Sequence, residues 1–391
     1  MGRGMTFRKI VFWTHLGIGT TVGLVVLNMA ASGIMMTFEP QIVAWSERNV
    51  RRVQSPVPEA HRLGIESILA RAAEVKSGLP PTGVTLWSNP DAPPLVNFGR
   101  EGGLYLHPTT GDVLGGRSKT HVFLHEVEEW HRWFGNKKIG KPITGGTCVG
   151  FSLLLLSGLY LWWPKRWTWT ALRSVTLFNP RLTGKPRDWN WHNVIGFWCA
   201  PMILVTTLTG LIISYPWANT LLFRLVGETP PTQRADLPVR EPREKGGGDP
   251  RGNRQAESSP LVFPATGLDV LLVRAEEKVS GWNSITLRFP QKPGAPLMAI
   301  IEQERRLGPP ARSQLTFDSS TGQELKWEPA STQTFGKRLR GWVVPLHTGR
   351  AGGLMGQLLA GLSSVGALLL VWTGLSMVWE RYQRRRGDGA Q

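Results

Sequence analysis

The stretch VFWTHLGIGTTVGLVVLNMAASGIMMTF, Val11 to Phe38, contains no Asp, Glu, Lys or Arg. A bilayer's hydrocarbon is ~30 Å thick and needs ~20 apolar helical residues to cross it, so this stretch is long enough to span. Arg3, Arg8 and Lys9 precede it, as they would a cleaved secretory signal, but the apolar part of such a signal runs ~7–15 residues. A retained span is the reading that fits its length. It carries one ionisable side chain, His15, and closes on Ala31-Ser32-Gly33-Ile34.

Three further apolar stretches follow, Ile143 to Trp163, Val194 to Trp217 and Leu354 to Trp379, again without an interior acid, lysine or arginine. Histidines recur beside them at matched distances. His15 stands 18 residues before Gly33, and His192 stands 18 before Gly210 of Leu208-Thr209-Gly210-Leu211. His131 stands 27 residues before Gly158 of Ser157-Gly158-Leu159, and His347 stands 27 before Gly374 of Thr373-Gly374-Leu375. A duplicated chain folded around a shared axis brings equivalent positions face to face. The spacing therefore predicts two centres, each with two imidazoles: His15 with His192, and His131 with His347. A transporter built on parallel repeats would instead show broken spans with charge at midplane, and these spans show neither.

Orientation follows from the cations of the short loops, which stay in the cytoplasm. Arg3, Arg8 and Lys9 precede the first span, Lys165, Arg166, Arg173, Arg181, Lys185 and Arg187 lie between the second and third, and Arg381, Arg384, Arg385 and Arg386 follow the fourth. Both termini are expected inside, and the two long connections outside. This rule absorbs much of the +17 net charge of the 391 residues. No groove-reading motif or aromatic RNA platform accompanies it, so nucleic acid is not an expected partner. The two cysteines, Cys148 and Cys199, fall near opposite ends of their spans and form neither a disulfide framework nor a Cys-x-x-Cys motif.

The expected order is a span at 7–39, an outer domain at 40–120, an interfacial helix at 121–142, a span at 143–164 and a cytoplasmic loop at 165–191. A span at 192–217, a flexible linker at 218–260, a second outer domain at 261–335, an interfacial segment at 336–353, a span at 354–380 and a cytoplasmic tail at 381–391 complete it. Each outer domain reads as a helix followed by strands. Gly64 to Ala73 has helical spacing, Gly83 to Ser88 and Leu95 to Phe98 read as strands, and Leu104 to Val113 reads as strand, turn, strand. Leu268 to Val279, Ser284 to Phe289, Leu297 to Glu302 and Leu315 to Leu325 repeat that order, with Thr-Gly at both turns. Gly227 to Pro260 is rich in Pro, Gly and charge, a linker composition.

This layout resembles the PepSY-associated transmembrane family, whose members include iron-regulated inner-membrane proteins and ferric-siderophore reductases. The resemblance rests on Leu124-His125 through Trp130-His131-Arg132-Trp133, on Asp188-Trp189-Asn190-Trp191-His192-Asn193-Val194-Ile195-Gly196, on Pro345-Leu346-His347-Thr348-Gly349, and on the recurrent Ser/Thr-Gly-Leu/Ile near span ends. It implies an α-helical membrane protein of four transmembrane helices in two parallel repeats, with two small αβββ extracytoplasmic domains. It further implies a haem-binding reductase in a bacterial inner membrane that passes electrons to a ferric siderophore or other ferric chelate on the periplasmic side. Imidazole is the common axial ligand of haem, and a b-type haem held between two histidines needs no cysteine; two haems b are expected. Small residues at Gly349, Gly352, Gly353 and Gly356 would let a flat macrocycle approach the backbone.

His125, six residues before His131, is the rival ligand for the outer site; Gly341 occupies the matching place in the second half. His121 and His125 share a helical face with Glu128 and Glu129 nearby, a loose divalent-metal spacing set against an ordinary solvated face. His61 and His107 read as surface histidines, and the tryptophans at span ends as interface anchors. Gly17-Ile18-Gly19 lies inside a span with no strand before it, and Gly140 to Thr147 lacks a Gly-Lys-Ser/Thr ending, so neither binds a nucleotide. Electrons are therefore expected from a separate flavoprotein or from membrane quinol. The alternative function is a membrane anchor whose outer domains bind or regulate a periplasmic peptidase or other partner without redox chemistry.

Overall fold

The computed structural model describes residues 6–53, 62–164, 166–231, 267–292, 294–305 and 308–388. In chain order the elements begin α1 (Phe7–Met36), α2 (Glu39–Ser46), α3 (Ile65–Val75), β1 (Gly83–Trp87), β2 (Leu95–Asn97), β3 (Gly103–Leu106), β4 (Val113–Gly116), α4 (Lys119–Trp133) and α5 (Lys137–Trp162). They continue α6 (Trp169–Thr176), α7 (Gly184–Ser214), α8 (Pro216–Leu225), α9 (Leu268–Lys278), β5 (Ser284–Arg288), β6 (Leu297–Gln303), β7 (Ala311–Phe317), β8 (Glu324–Glu328), α10 (Phe335–His347) and α11 (Gly353–Asp388). They form two compact units, one of residues 1–42, 123–226 and 338–391, the other of 43–122 and 227–337.

The first unit is a helical bundle. Four helices among the described residues are long and apolar enough to cross a membrane: Phe7–Met36, Lys137–Trp162, Gly184–Ser214 and Arg350–Arg384. Apolar side chains stay exposed on them, Leu24 at 72% and Leu362 at 64%, as a lipid-facing surface requires. Helix α1 packs on α5 and α11, and α7 packs on the same two, which leaves α1 and α7 on the diagonal of the bundle. The centre is filled by Ala30, Leu155, Ile203 and Ala367, one from each helix. Arg8 donates to the Leu161 carbonyl at 2.6 Å, satisfying one free acceptor at the end of α5.

The turns into α5 and α11 are set by specific residues. Phe134 and Gly135 take positive φ, 49° and 70°, and the Asn136 side chain then caps α5 by accepting from the Lys138 and Ile139 amides at 3.0 and 3.3 Å. A Cβ on Gly140 would collide with the Trp133 carbonyl, so glycine alone lets the first turn of α5 pass under the end of α4. The turn from α10 to α11 works likewise: Gly349 has φ 75°, and a Cβ on it would strike the Gly356 backbone. Gly349 and Gly356 therefore let the two backbones touch. Helix α5 also starts six residues earlier than the expected span at 143, because Asn136 and not the apolar run sets its beginning. The 165–191 loop contains α6 and the first turns of α7.

The second unit is an antiparallel sheet of order β4-β3-β2-β1-β5-β6-β7-β8 with α3 and α9 packed on it. Two separate αβββ domains were expected; each connection instead supplies a helix and four strands to one common sheet. The join is β1 with β5, paired from Gly83 with Arg288 to Trp87 with Ser284. Had these strands stayed apart, each would have been an unpaired edge. One core runs through both contributions and includes Ile68, Val84, Leu106, Leu271, Ile285 and Phe317. The two Thr-Gly turns are as expected and alike: Gly111 N donates to His107 O at 3.0 Å, and Gly322 N to Asp318 O at 2.9 Å. The expected linker at 218–260 begins inside helix α8, which Pro216 opens at its first turn; its part at 232–260 lies outside the described residues, as does His61.

Candidate functional site

Both predicted histidine pairs meet in the helical unit. The His15 and His192 rings have centroids 6.4 Å apart, and those of His131 and His347 are 6.2 Å apart. Two metal–imidazole bonds of ~2.0–2.1 Å in line, plus ~1.2 Å from each nitrogen to its ring centre, put two centroids ~6.4 Å apart. Both separations are close to that distance. The ring planes cross at 86° and 70°, so neither pair is stacked face to face.

Each imidazole is held from a neighbouring helix by a hydroxyl and a glycine adjacent in sequence. His15 Nδ1 is 2.8 Å from Ser157 Oγ on α5, and His192 Nδ1 is 2.9 Å from Thr373 Oγ1 on α11. His131 Nδ1 is 3.0 Å from Ser32 Oγ on α1, and His347 Nδ1 is 3.1 Å from Thr209 Oγ1 on α7. The next residue in each case is glycine, and a Cβ on Gly158, Gly374, Gly33 or Gly210 would lie 3.3, 3.5, 3.8 or 3.4 Å from the Cε1 of its histidine. At Gly158 that contact would be tight, and at the other three it would be an ordinary van der Waals contact.

With Nδ1 engaged, Nε2 of each ring is the nitrogen left for a metal, a donor set that fits a haem iron or any metal taking two imidazoles. Asn28, one helical turn before Ser32 on α1, has a buried amide nitrogen with no hydrogen-bond partner. Such an orphaned donor is costly unless something accepts from it.

The pairs lie at two levels. Helix α1 carries His15 and, 17 residues on, Ser32; α7 carries His192 and, 17 residues on, Thr209. At ~1.5 Å per residue the levels are ~26 Å apart along the axis, close to the ~30 Å of a bilayer's hydrocarbon. The same contacts make α1 and α7 parallel, because both present histidine at one level and hydroxyl-glycine at the other.

The other candidates are elsewhere. His125, the rival outer ligand, has its side chain 59% exposed with Nδ1 3.6 Å from Glu128 Oε2; the ring opposite His347 is His131. In the sheet unit His121 Nε2 is 2.7 Å from Arg117 Nη1, and Nδ1 is 3.5 Å from Glu47 Oε1. No group of three or more His, Cys, Asp or Glu fit to hold a metal occurs among the described residues. His107 is a turn residue and not a plain surface histidine: its Nδ1 accepts from the Thr109 and Thr110 amides, both at 3.3 Å, as Asp318 Oδ1 accepts from Ser320 and Thr321 in the matching turn.

Two features were not found from sequence. The Ser/Thr-Gly pairs served there only as markers of register; their role is to receive imidazoles from other helices, and the signal was the fourfold recurrence of hydroxyl before glycine. The second is Glu47, buried in the sheet unit with its side chain fully covered. It accepts from Arg51 at 2.7 Å, the Tyr105 hydroxyl at 3.0 Å and the Ser118 amide at 3.0 Å. Burial alone would raise its pKa, but the Ser118 amide, Arg51 and Tyr105 outweigh it and hold the carboxyl below its ordinary value. Tyr105 is pushed up to about 12, by burial and by Glu47 against the pull of Arg51.

Among curated proteins none matches the chain. The family described as the PepSY-associated TM region matches residues 12–381. With four apolar helices of spanning length and a match over nearly its whole length, the chain is a multi-pass membrane protein and belongs to the PepSY-associated transmembrane family.

Proposed function

We propose that the protein is a transmembrane electron-transfer protein carrying two b-type haems, which reduces a ferric siderophore or other ferric chelate at the periplasmic face of a bacterial inner membrane. The observation that carries this reading is the double ring separation of 6.4 and 6.2 Å at two levels of one bundle. An anchor for the sheet unit gains nothing from it. His15 and His192 hold the inner haem and His131 and His347 the outer one, each through Nε2. A bound b-type haem supplies a one-electron ferric/ferrous centre. Helices α1 and α7 fix the separation of the two levels, and the apolar bundle between them keeps water out.

The two halves act as parallel repeats, with α1 and α7 equivalent, and both termini lie in the cytoplasm, where the cations of the short loops gather. The electron donor is a cytoplasmic flavoprotein or membrane quinol. Each electron converts one chelated Fe³⁺ to Fe²⁺, which weakens its hold in hard oxygen donors and frees the metal for uptake.

The test is made with the full-length protein in sealed vesicles, with reduced quinol available in the membrane and ferric hydroxamate, together with a chromogenic Fe²⁺ chelator, on the periplasmic side. Coloured Fe²⁺ complex forming only with haem-loaded protein supports the proposal. No Fe²⁺ above protein-free vesicles, whether quinol or a reduced flavin enclosed on the cytoplasmic side is the donor, favours the binding or regulatory module and overturns it.

A further inference from the structure

The hydroxyls beside the four imidazoles each own one proton, and the geometry shows where it goes. Ser157 Oγ donates to the Leu153 carbonyl at 2.6 Å, Ser32 to Asn28 at 2.7 Å, Thr209 to Val205 at 2.6 Å and Thr373 to Leu369 at 2.7 Å. This is the ordinary back-bond of a helical Ser or Thr to the carbonyl four residues earlier. With the proton committed, the oxygen can only accept at the contact with Nδ1, so the imidazole is the donor. A second constraint agrees. The carbonyl three residues before each hydroxyl also faces the same ring: Thr206 O is 2.9 Å from His347 Nδ1, and Leu154, Met29 and Leu370 stand in that place for His15, His131 and His192. A carbonyl has no proton to give. Neutral imidazole has one N–H, so a proton on Nδ1 leaves the lone pair on Nε2.

We infer that Ser32, Ser157, Thr209 and Thr373 are positioning residues that lock their histidines in the Nδ1–H tautomer before any metal arrives and then set the potential of the centre through the same hydrogen bond. The first half stands on hydrogen-bond geometry alone; the second rests on the haem reading above. An Nδ1–H···O bond shifts electron density toward Nε2 and makes the ring a stronger donor, favouring ferric over ferrous iron. In an apolar bundle that bond is stronger than in water.

The test uses the full-length protein in detergent. In haem-free protein labelled with ¹⁵N-histidine, the four paired imidazoles should show the Nδ1–H tautomer; a predominance of Nε2–H overturns the inference. In haem-loaded protein, Thr373→Val keeps the shape and removes the acceptor. Since the carbonyl remains, the loss of preference for ferric iron should be at the low end of the 10- to 100-fold range, roughly tenfold, or ~59 mV upward for one electron. Thr373→Ser should restore the wild-type potential, Ser157→Ala should move the same centre in the same direction, and the outer centre should stay put. An unchanged potential in both Thr373→Val and Ser157→Ala contradicts the tuning role. Protein that binds no haem under any condition refutes the haem reading, and the ¹⁵N spectrum then decides the tautomer by itself.

Discussion

His15 and His192 project from the interiors of α1 and α7, helices of 30 and 31 residues, whereas His131 and His347 stand at the ends of α4 and α10, helices of 15 and 13 residues that reverse at once into α5 and α11. The chemistry at both levels is the same, two imidazoles each with a hydroxyl and a glycine behind it. The mechanical support differs. Moving the inner pair means moving two rods packed along their length, while the outer pair depends on two turns that only particular residues allow. One structure thus holds equivalent histidine pairs with unequal tolerance to change.

The largest effect expected is loss of a ligand. His192→Ala should remove the inner haem and leave the outer, and His131→Ala the reverse, halving the haem content in each; His125→Ala should leave both in place. If His125→Ala empties the outer site while His131→Ala does not, the assignment is wrong. Next comes the difference in support. Gly349→Ala forces a side chain onto a φ of 75° and into the Gly356 backbone, a strain of ~1–3 kcal/mol for the dihedral alone. It should lower outer haem content while the inner haem keeps its spectrum and potential; equal loss at both levels would erase the distinction.

Two smaller effects belong to the sheet unit and should leave both haem signals unchanged. Glu47→Ala removes the partner of Arg51 and the acceptor for Tyr105 and Ser118. Breaking a buried pair costs about 3–5 kcal/mol, and Arg51 is 39% exposed, so the low end is expected in denaturant unfolding of the sheet unit; no change in midpoint would contradict the network. The smallest concerns Asp269, whose carboxyl is pushed up to about 6 by burial and then by Glu66, which caps the start of α9 while Asp269 accepts from Ile65 N at 2.6 Å at the start of α3. A carboxyl with its folded pKa above the ordinary ~3.9 binds its proton more tightly when folded. Its contribution is complete below about pH 4 and is lost as pH rises through about 6. Asp269→Asn keeps the acceptor and removes the proton, so unfolding of the sheet unit should become less pH-dependent between pH 4 and 7; a variant as pH-sensitive as the parent would contradict the pairing.

How much of this was legible in sequence follows from which interactions are local. The spans were readable because bilayer thickness demands a run of apolar residues and any interior charge would show. The pairing of histidines was readable because helices of fixed rise convert equal spacing into equal height: 18 residues in α1 and 18 in α7 put their groups level. What each imidazole leans on was not readable. Ser157 serves His15 from a different helix, 142 residues away, and no spacing within one helix encodes that. The sheet shows the same boundary. Its strands and Thr-Gly turns are local patterns and lay where expected, but the pairing of β1 with β5 joins segments 201 residues apart, Thr85 to Thr286, and the sequence offered two domains in place of one sheet. Gly349 and Gly356 were read by composition as room for a ligand, though each makes room for the backbone of the other.

The central claim is that each histidine pair grips one haem iron, and the haem content of the full-length protein purified in detergent tests it most directly. Two b-type haems per chain are expected, both reducible, falling to one in His192→Ala, one in His131→Ala and none in the double variant. A colourless parent protein, or a double variant that keeps its haem, would contradict it.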